Sequence, residues 1–296
     1  MTHPVSAARL PPSRITDVHI HIQPWRELKP QVLAVMWRDK EAERDLMVQL
    51  MEDPRALLQV MDRSGVWRAG LVNYPSPDVM GFTDATNTFS ATYARANPER
   101  LLPYGGVHPR FTRDARGDVD RLVDLGIRLV KIHPPHQGFP ANAYTDGLEA
   151  LGAIYRRCEE RGLPVMIHTG TSVFPGARSK YGNPMELDDV AIDFPDLPLV
   201  MAHGGRPLYM AEAFFILRRH RHVRLDISGI PPARLLEYFP RLPEVADRVL
   251  WGTDWPSPGV REMRQNIDQF LALSLDDSHK RAILETNALA LFPAAR

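Results

Sequence analysis

Ile15-Thr16-Asp17-Val18-His19-Ile20-His21-Ile22 alternates polar side chains with Val and Ile. In an extended strand, residues two apart point to the same face, so Asp17, His19 and His21 share one side. Two imidazoles one pleat apart can converge on one metal ion through their ring nitrogens. A single histidine here would read as a satisfied polar group. The pair, with further His and Asp at strand ends downstream, reads as a metal site.

Outward from this stretch, one unit repeats: a short apolar strand, a Gly/Pro-rich or polar loop, an amphipathic helix. Strands are predicted at 68–74, 101–108, 128–133, 164–169, 199–203, 223–228 and 248–253, and helices near 83–97, 113–125, 144–161, 185–193, 207–219, 232–239 and 259–273. With the opening strand this makes eight strands alternating with helices, the α/β pattern of a single closed (β/α)8 TIM barrel spanning 1–296. An open doubly wound sheet is the rival. No Gly-x-Gly-x-x-Gly follows the first strand, which weighs against it. Residues 23–52 are too long for an ordinary loop and are expected to carry a short helix, with Trp25, Trp37 and Arg38 placed to close over a site as a lid. A helix over 54–64 is expected to end at Gly65.

Composition narrows the function. Lys plus Arg number 36 and so do Asp plus Glu, so no net field draws the chain to nucleic acid or to an acidic membrane. The single cysteine, Cys158, rules out an intrachain disulfide and falls on the apolar side of a helix with Leu148, Leu151 and Tyr155, as core. Residues 1–14 lack the apolar run of a signal peptide and no stretch is long enough to span a bilayer, so a cytoplasmic protein is expected.

Of 11 histidines, His19, His21, His108, His133, His136, His168 and His203 fall at or just past predicted strand C-termini. In a barrel those ends open onto one face, where active sites are built. Met166-Ile167-His168-Thr169-Gly170, Met201-Ala202-His203-Gly204-Gly205 and Leu250-Trp251-Gly252-Thr253-Asp254-Trp255-Pro256 each run an apolar strand into one metal-competent or acid/base side chain. Small residues follow, and they are expected to leave room for a ligand. His19, His21, His168 and Asp254 would supply the metal ligands, leaving His203 free to act on a bound water. Asp254 alone would read as a helix cap or turn residue.

The set His19-x-His21, His168, His203-Gly-Gly and Gly252-Thr253-Asp254-Trp255-Pro256 resembles the amidohydrolase superfamily, in the branch with amino-carboxymuconate-semialdehyde decarboxylase and many TIM-barrel metal-dependent hydrolases. The resemblance reaches the end of the chain, where Ile283-Leu284-Glu285-Thr286-Asn287-Ala288 with Leu291-Phe292 is similar to that branch's closing helix. It implies one divalent metal, usually zinc, on the four ligands named, with His203 deprotonating or positioning the water and Asp254 or His203 carrying the proton to the leaving group. Two-metal members carry a carboxylated lysine at the end of the fourth strand, where Lys131 stands. In the one-metal branch the same lysine would be a cation for an anionic substrate. Hydrolysis of an amide, ester or lactone is the first expectation, and non-oxidative decarboxylation of an aromatic or unsaturated acid the second. A barrel that binds without turnover is a third reading, which no substituted ligand position supports. Tyr74, His108, His133, Lys131 and Arg206 are the expected contacts to a small, carboxylate-bearing substrate, with Asn73, His136 and Ser228 as further candidates. The expected assembly is a homodimer.

Overall fold

The computed structural model describes residues 14–38 and 40–293; the expectation made for the segment 1–14 falls almost wholly outside them. Eight strands run in sequence order around one sheet: β1 (Ile15–Ile20), β2 (Val66–Leu71), β3 (Leu101–Gly105), β4 (Leu129–Ile132), β5 (Val165–His168), β6 (Leu199–Ala202), β7 (Val223–Asp226) and β8 (Val249–Leu250). Every neighbouring pair is parallel. The sheet closes where Val18 N–H donates to Trp251 O at 2.9 Å, Asp254 N–H to His19 O at 2.8 Å and His21 N–H to Trp255 O at 2.8 Å. The fold is a (β/α)8 barrel.

Alternation along the strands sorts the side chains. In β4 and β5, Val130, Ile132, Val165 and Ile167 pack outward under the helices, while Leu129 and Met166 join Val18, Leu102, Tyr104, Val200 and Leu250 inside the barrel. The next inward positions toward the strand C-termini are Lys131 and His168, so the polar site lies on top of an apolar plug. Below it, Phe292 of the closing segment stacks on Tyr104 with centroids 5.7 Å apart.

The ladders are shorter than the apolar runs in sequence, because residues past each ladder turn out to build the upper face. The first loop holds two helices rather than one, Pro30–Trp37 and Arg44–Glu52. Helix Pro54–Ser64 starts on Asp53, whose carboxylate accepts from Arg55 N–H, and stops at Gly65 with φ 74°. Cys158 is fully buried in helix Glu149–Arg161, as expected of a core residue. Among the described residues, no helix is long and apolar enough to cross a membrane.

Candidate metal and catalytic site

A cavity of roughly 570 Å³ opens at the C-terminal ends of the strands, and His19, His21, Tyr74, Lys131, His133, His136, His168, His203, Arg206 and Asp254 all line it. Donor atoms of His19, His203 and Asp254 lie within 4.8 Å of one another. His21 Nε2 faces Asp254 Oδ1 at 2.9 Å, and His19 Nε2 is 3.6 Å from the same oxygen. His21 and His168 both lie outside the tight group, although His21 touches Asp254 and the His168 ring centroid is 4.6 Å from that of His203. The compact triad therefore includes the histidine read as the base.

Two of these residues carry their own mark. His203 and Asp254 are the non-glycine residues with positive φ among those described, both at 67°. A left-handed backbone costs a side-chain-bearing residue roughly 1 kcal/mol or more and persists where surrounding contacts over-determine it. At the ends of β6 and β8 it turns the imidazole and the carboxylate into the mouth.

A buried carboxylate that sequence reasoning left almost unused organises the donors. Asp226, at the end of β7, accepts from His19 Nδ1 at 2.6 Å, from Ser228 Oγ at 2.8 Å and, through its other oxygen, from Ser228 N–H at 2.9 Å. The carboxylate can only accept, so His19 keeps its proton on Nδ1 and presents the lone pair of Nε2. His203 is fixed in the same way, its Nδ1 donating to Ser228 O at 2.9 Å. Asp17 serves as a clamp: it takes Thr253 Oγ1 at 2.6 Å, Thr253 N–H at 3.1 Å and His19 N–H at 3.1 Å, and burial lifts its carboxyl to about 7.

Electrostatics follow from enclosure. Burial drives His168, His203 and His133 well below the usual imidazole range, so they are neutral at neutral pH. Burial also pushes the Lys131 ammonium down to about 8 against the pull of Asp226 and Asp254, leaving it mostly charged near neutrality. Its Nζ has no hydrogen-bond partner. Asp254 is buried too, yet the hydrogen bond from His21 and the charges of His21, His19 and Arg206 hold its carboxyl below the ordinary range.

The floor of the cavity is a stack of imidazoles. His136, His133 and His168 lie face to face, with centroids 3.5 and 3.8 Å apart. Tyr74 O–H is 2.8 Å from His136 Nδ1, and His136 Nε2 is 2.7 Å from Ser172 Oγ.

Several expectations are corrected. His108 does not join the site: past β3 its ring packs on Phe111, 4.4 Å between centroids, and lines a separate cavity of roughly 460 Å³. Asn73 is a scaffold residue, donating to Ile22 O at 3.0 Å and accepting from Thr86 Oγ1 at 2.8 Å. Ser228 is engaged by Asp226 and His203. Trp25 is buried in the core, and from the first loop Gln23 and Met36 line the cavity. The glycines after His168 and His203 make room for protein rather than for ligand: a Cβ on Gly170 would come within 2.1 Å of Arg206 O, and one on Gly204 within 2.8 Å of Phe239 Cζ. Arg206 is partly engaged, Nη2 donating to Asp254 Oδ2 at 3.2 Å, while Nε has no partner.

The donor set suits a divalent ion. His19 Nε2 and His168 Nε2 are buried nitrogens without a hydrogen-bond partner, and a buried polar atom of this kind calls for an unseen ligand. Nitrogen and carboxylate donors together suit a first-row divalent cation.

The sequence matches the amidohydrolase family over residues 16–294. The chain belongs to the amidohydrolase family. No curated protein matches it significantly. Among solved structures, an uncharacterized TIM-barrel protein from Bordetella bronchiseptica is similar at 23% identity and TM-score 0.70, covering 94% of this chain and 97% of that one. So is 5-carboxyvanillate decarboxylase from Sphingomonas paucimobilis, at 17% identity and TM-score 0.66, covering 95% and 99%. A probable 2-pyrone-4,6-dicarboxylic acid hydrolase from Acinetobacter baumannii, with citric acid bound, matches at 16% and TM-score 0.66, covering 94% and 99%. At these identities the structural likeness speaks for the fold, which amidohydrolases put to both hydrolysis and decarboxylation.

Proposed function

We propose that this amidohydrolase hydrolyses an amide, ester or lactone in a small, carboxylate-bearing substrate, using one divalent ion, zinc by preference, held by His19, His21, His168 and Asp254. When bound, such an ion supplies Lewis acidity, which acidifies water and polarises a carbonyl at neutral pH. The observation that carries the hydrolytic reading is the His203 tautomer. Ser228 O fixes the proton on Nδ1, so Nε2 offers a lone pair beside His19 and Asp254, suited to taking a proton from attacking water. Asp254, in contact with His21, Arg206 and Ser257, can then relay that proton to the leaving group.

Decarboxylation is the second reading, and Lys131 favours it. A buried ammonium without a partner could hand its proton to the carbon that loses carbon dioxide. Elemental analysis with a panel of lactones, amides and aromatic acids separates the readings. About one zinc per chain and a new acid group in the product are expected; carbon dioxide release would instead select decarboxylation. Near-zero metal with full activity would sink both. Two equivalents with added mass on Lys131 would point to a carboxylated-lysine bridge.

Substrate charge is tested at Arg206. The cavity sets Lys131 and Arg206 around the donor set, and the guanidinium is the group offered to a substrate carboxylate. Because one arm already holds Asp254, Arg206→Ala is expected to raise KM for the acid about tenfold, worth ~1.5 kcal/mol. The methyl ester should be affected much less, and Arg206→Lys should rescue only in part, lacking the planar fork. Equal losses for acid and ester would make Arg206 structural.

A further inference from the structure

We infer that Lys40 is a positioning residue for Asp254, reaching from the first loop to hold the turn that carries this carboxylate. Lys40 lies between helices Pro30–Trp37 and Arg44–Glu52 and is only 5% exposed. Its Nζ donates to Pro256 O and, at 3.0 Å, to Ser257 O. These carbonyls follow Asp254 by two and three residues. Ser257 returns to Asp254 twice, its N–H donating to Asp254 O at 2.8 Å and its Oγ to Asp254 Oδ1 at 3.2 Å. Two hydrogen bonds thus link the ammonium through Ser257 to the carboxylate, and a third, from Ser257 N–H, holds the Asp254 backbone.

Desolvating an ammonium is costly, and main-chain carbonyls recover that cost only if they are held in place. Lys40 therefore stays buried only while the turn keeps its shape. The turn has a matching need, since Asp254 sits at φ 67° and such a residue relaxes unless neighbours restrain it. The far side of the same loop is anchored independently. Lys29 N–H donates to Met80 O at 2.9 Å, and Tyr93 O–H to Leu50 O at 2.5 Å. With both flanks fixed, the loop is a strut against which Lys40 braces Asp254, and it carries Met36 into the cavity wall.

The inference rests on Asp254 being a metal ligand, as proposed above, and the test keeps the two apart. Zinc-loaded wild type, Lys40→Met, Lys40→Arg and Asp254→Asn are mixed with a chromophoric chelator, and zinc transfer is timed beside each protein's melting temperature. Lys40→Met should release zinc roughly tenfold faster, the usual scale for an outer partner of a metal ligand. Lys40→Arg, which can still reach both carbonyls, should stay near wild type. Asp254→Asn should be faster still. A general packing role would lower the melting temperature of Lys40→Met and leave zinc release unchanged, and that result overturns the proposal. If Asp254→Asn releases zinc no faster than wild type, the ligand assignment fails and the positioning role with it. Should Lys40→Met not fold, Ser257→Ala cuts the path at its last link. It should also speed release, and unchanged release there overturns the proposal equally.

Discussion

His203→Asn is expected to keep its metal and lose about 10²–10⁴-fold in kcat, the usual range for a removed general acid or base. The substitution is mild on the fold. Asparagine is among the few side chains that tolerate the left-handed conformation found at this position, and its amide can still donate to Ser228 O. What it lacks is the Nε2 lone pair facing His19 and Asp254. His21→Ala is the companion variant, expected to lose metal and activity together because Nε2 faces Asp254 Oδ1 at 2.9 Å. Metal content by elemental analysis, beside steady-state rates, reads both. The tight grouping of His203 with His19 and Asp254 makes the comparison sharp. If His203→Asn empties the site and His21→Ala does not, base and ligand have been exchanged.

Asp226→Asn should weaken metal binding by about 10–100-fold, although Asp226 is assigned no direct place among the ligands. The carboxylate takes three donors at 2.6–2.9 Å. An amide has one acceptor oxygen, and its NH₂ would meet a donor at one of those contacts. His19 would then turn or move its proton to Nε2, removing the lone pair from the cavity. Competition with a chelator of known affinity measures the loss. An unchanged dissociation constant would show that the His19 tautomer is fixed by something other than Asp226.

The barrel and most of the donor set were legible because their signals are local. A histidine at a strand end after Val-Met-Ile, or an aspartate after Leu-Trp-Gly-Thr, announces itself within a few residues. Asp226 announces nothing, since its meaning comes from His19, 207 positions away. Lys40 sits in a stretch without periodicity, and its partners are main-chain oxygens 216 and 217 positions distant. His108 misled for the opposite reason. It has the right residue type after an apolar strand, but its ring packs on Phe111 and Phe139, contacts that no local pattern announces. The ion pair of Arg206 with Asp254 is hidden from the sequence, which cannot show that Gly229 lets the arginine side chain lie against it.

The seam between β1 and the segment after β8 gives the site a history as well as a shape. His21 and Asp254 are 233 residues apart and meet only when the first and last strands pair. Contacts of such long sequence separation carry a large loop-closure entropy and tend to form late. If this pair holds an ion as proposed, a partly assembled barrel lacks the complete ligand set, and the free energy of ion binding favours the finished ring alone and none of its precursors. The last hydrogen bonds that shut the cylinder are also the ones that create its chemistry, and occupancy of the centre becomes a report that assembly is complete.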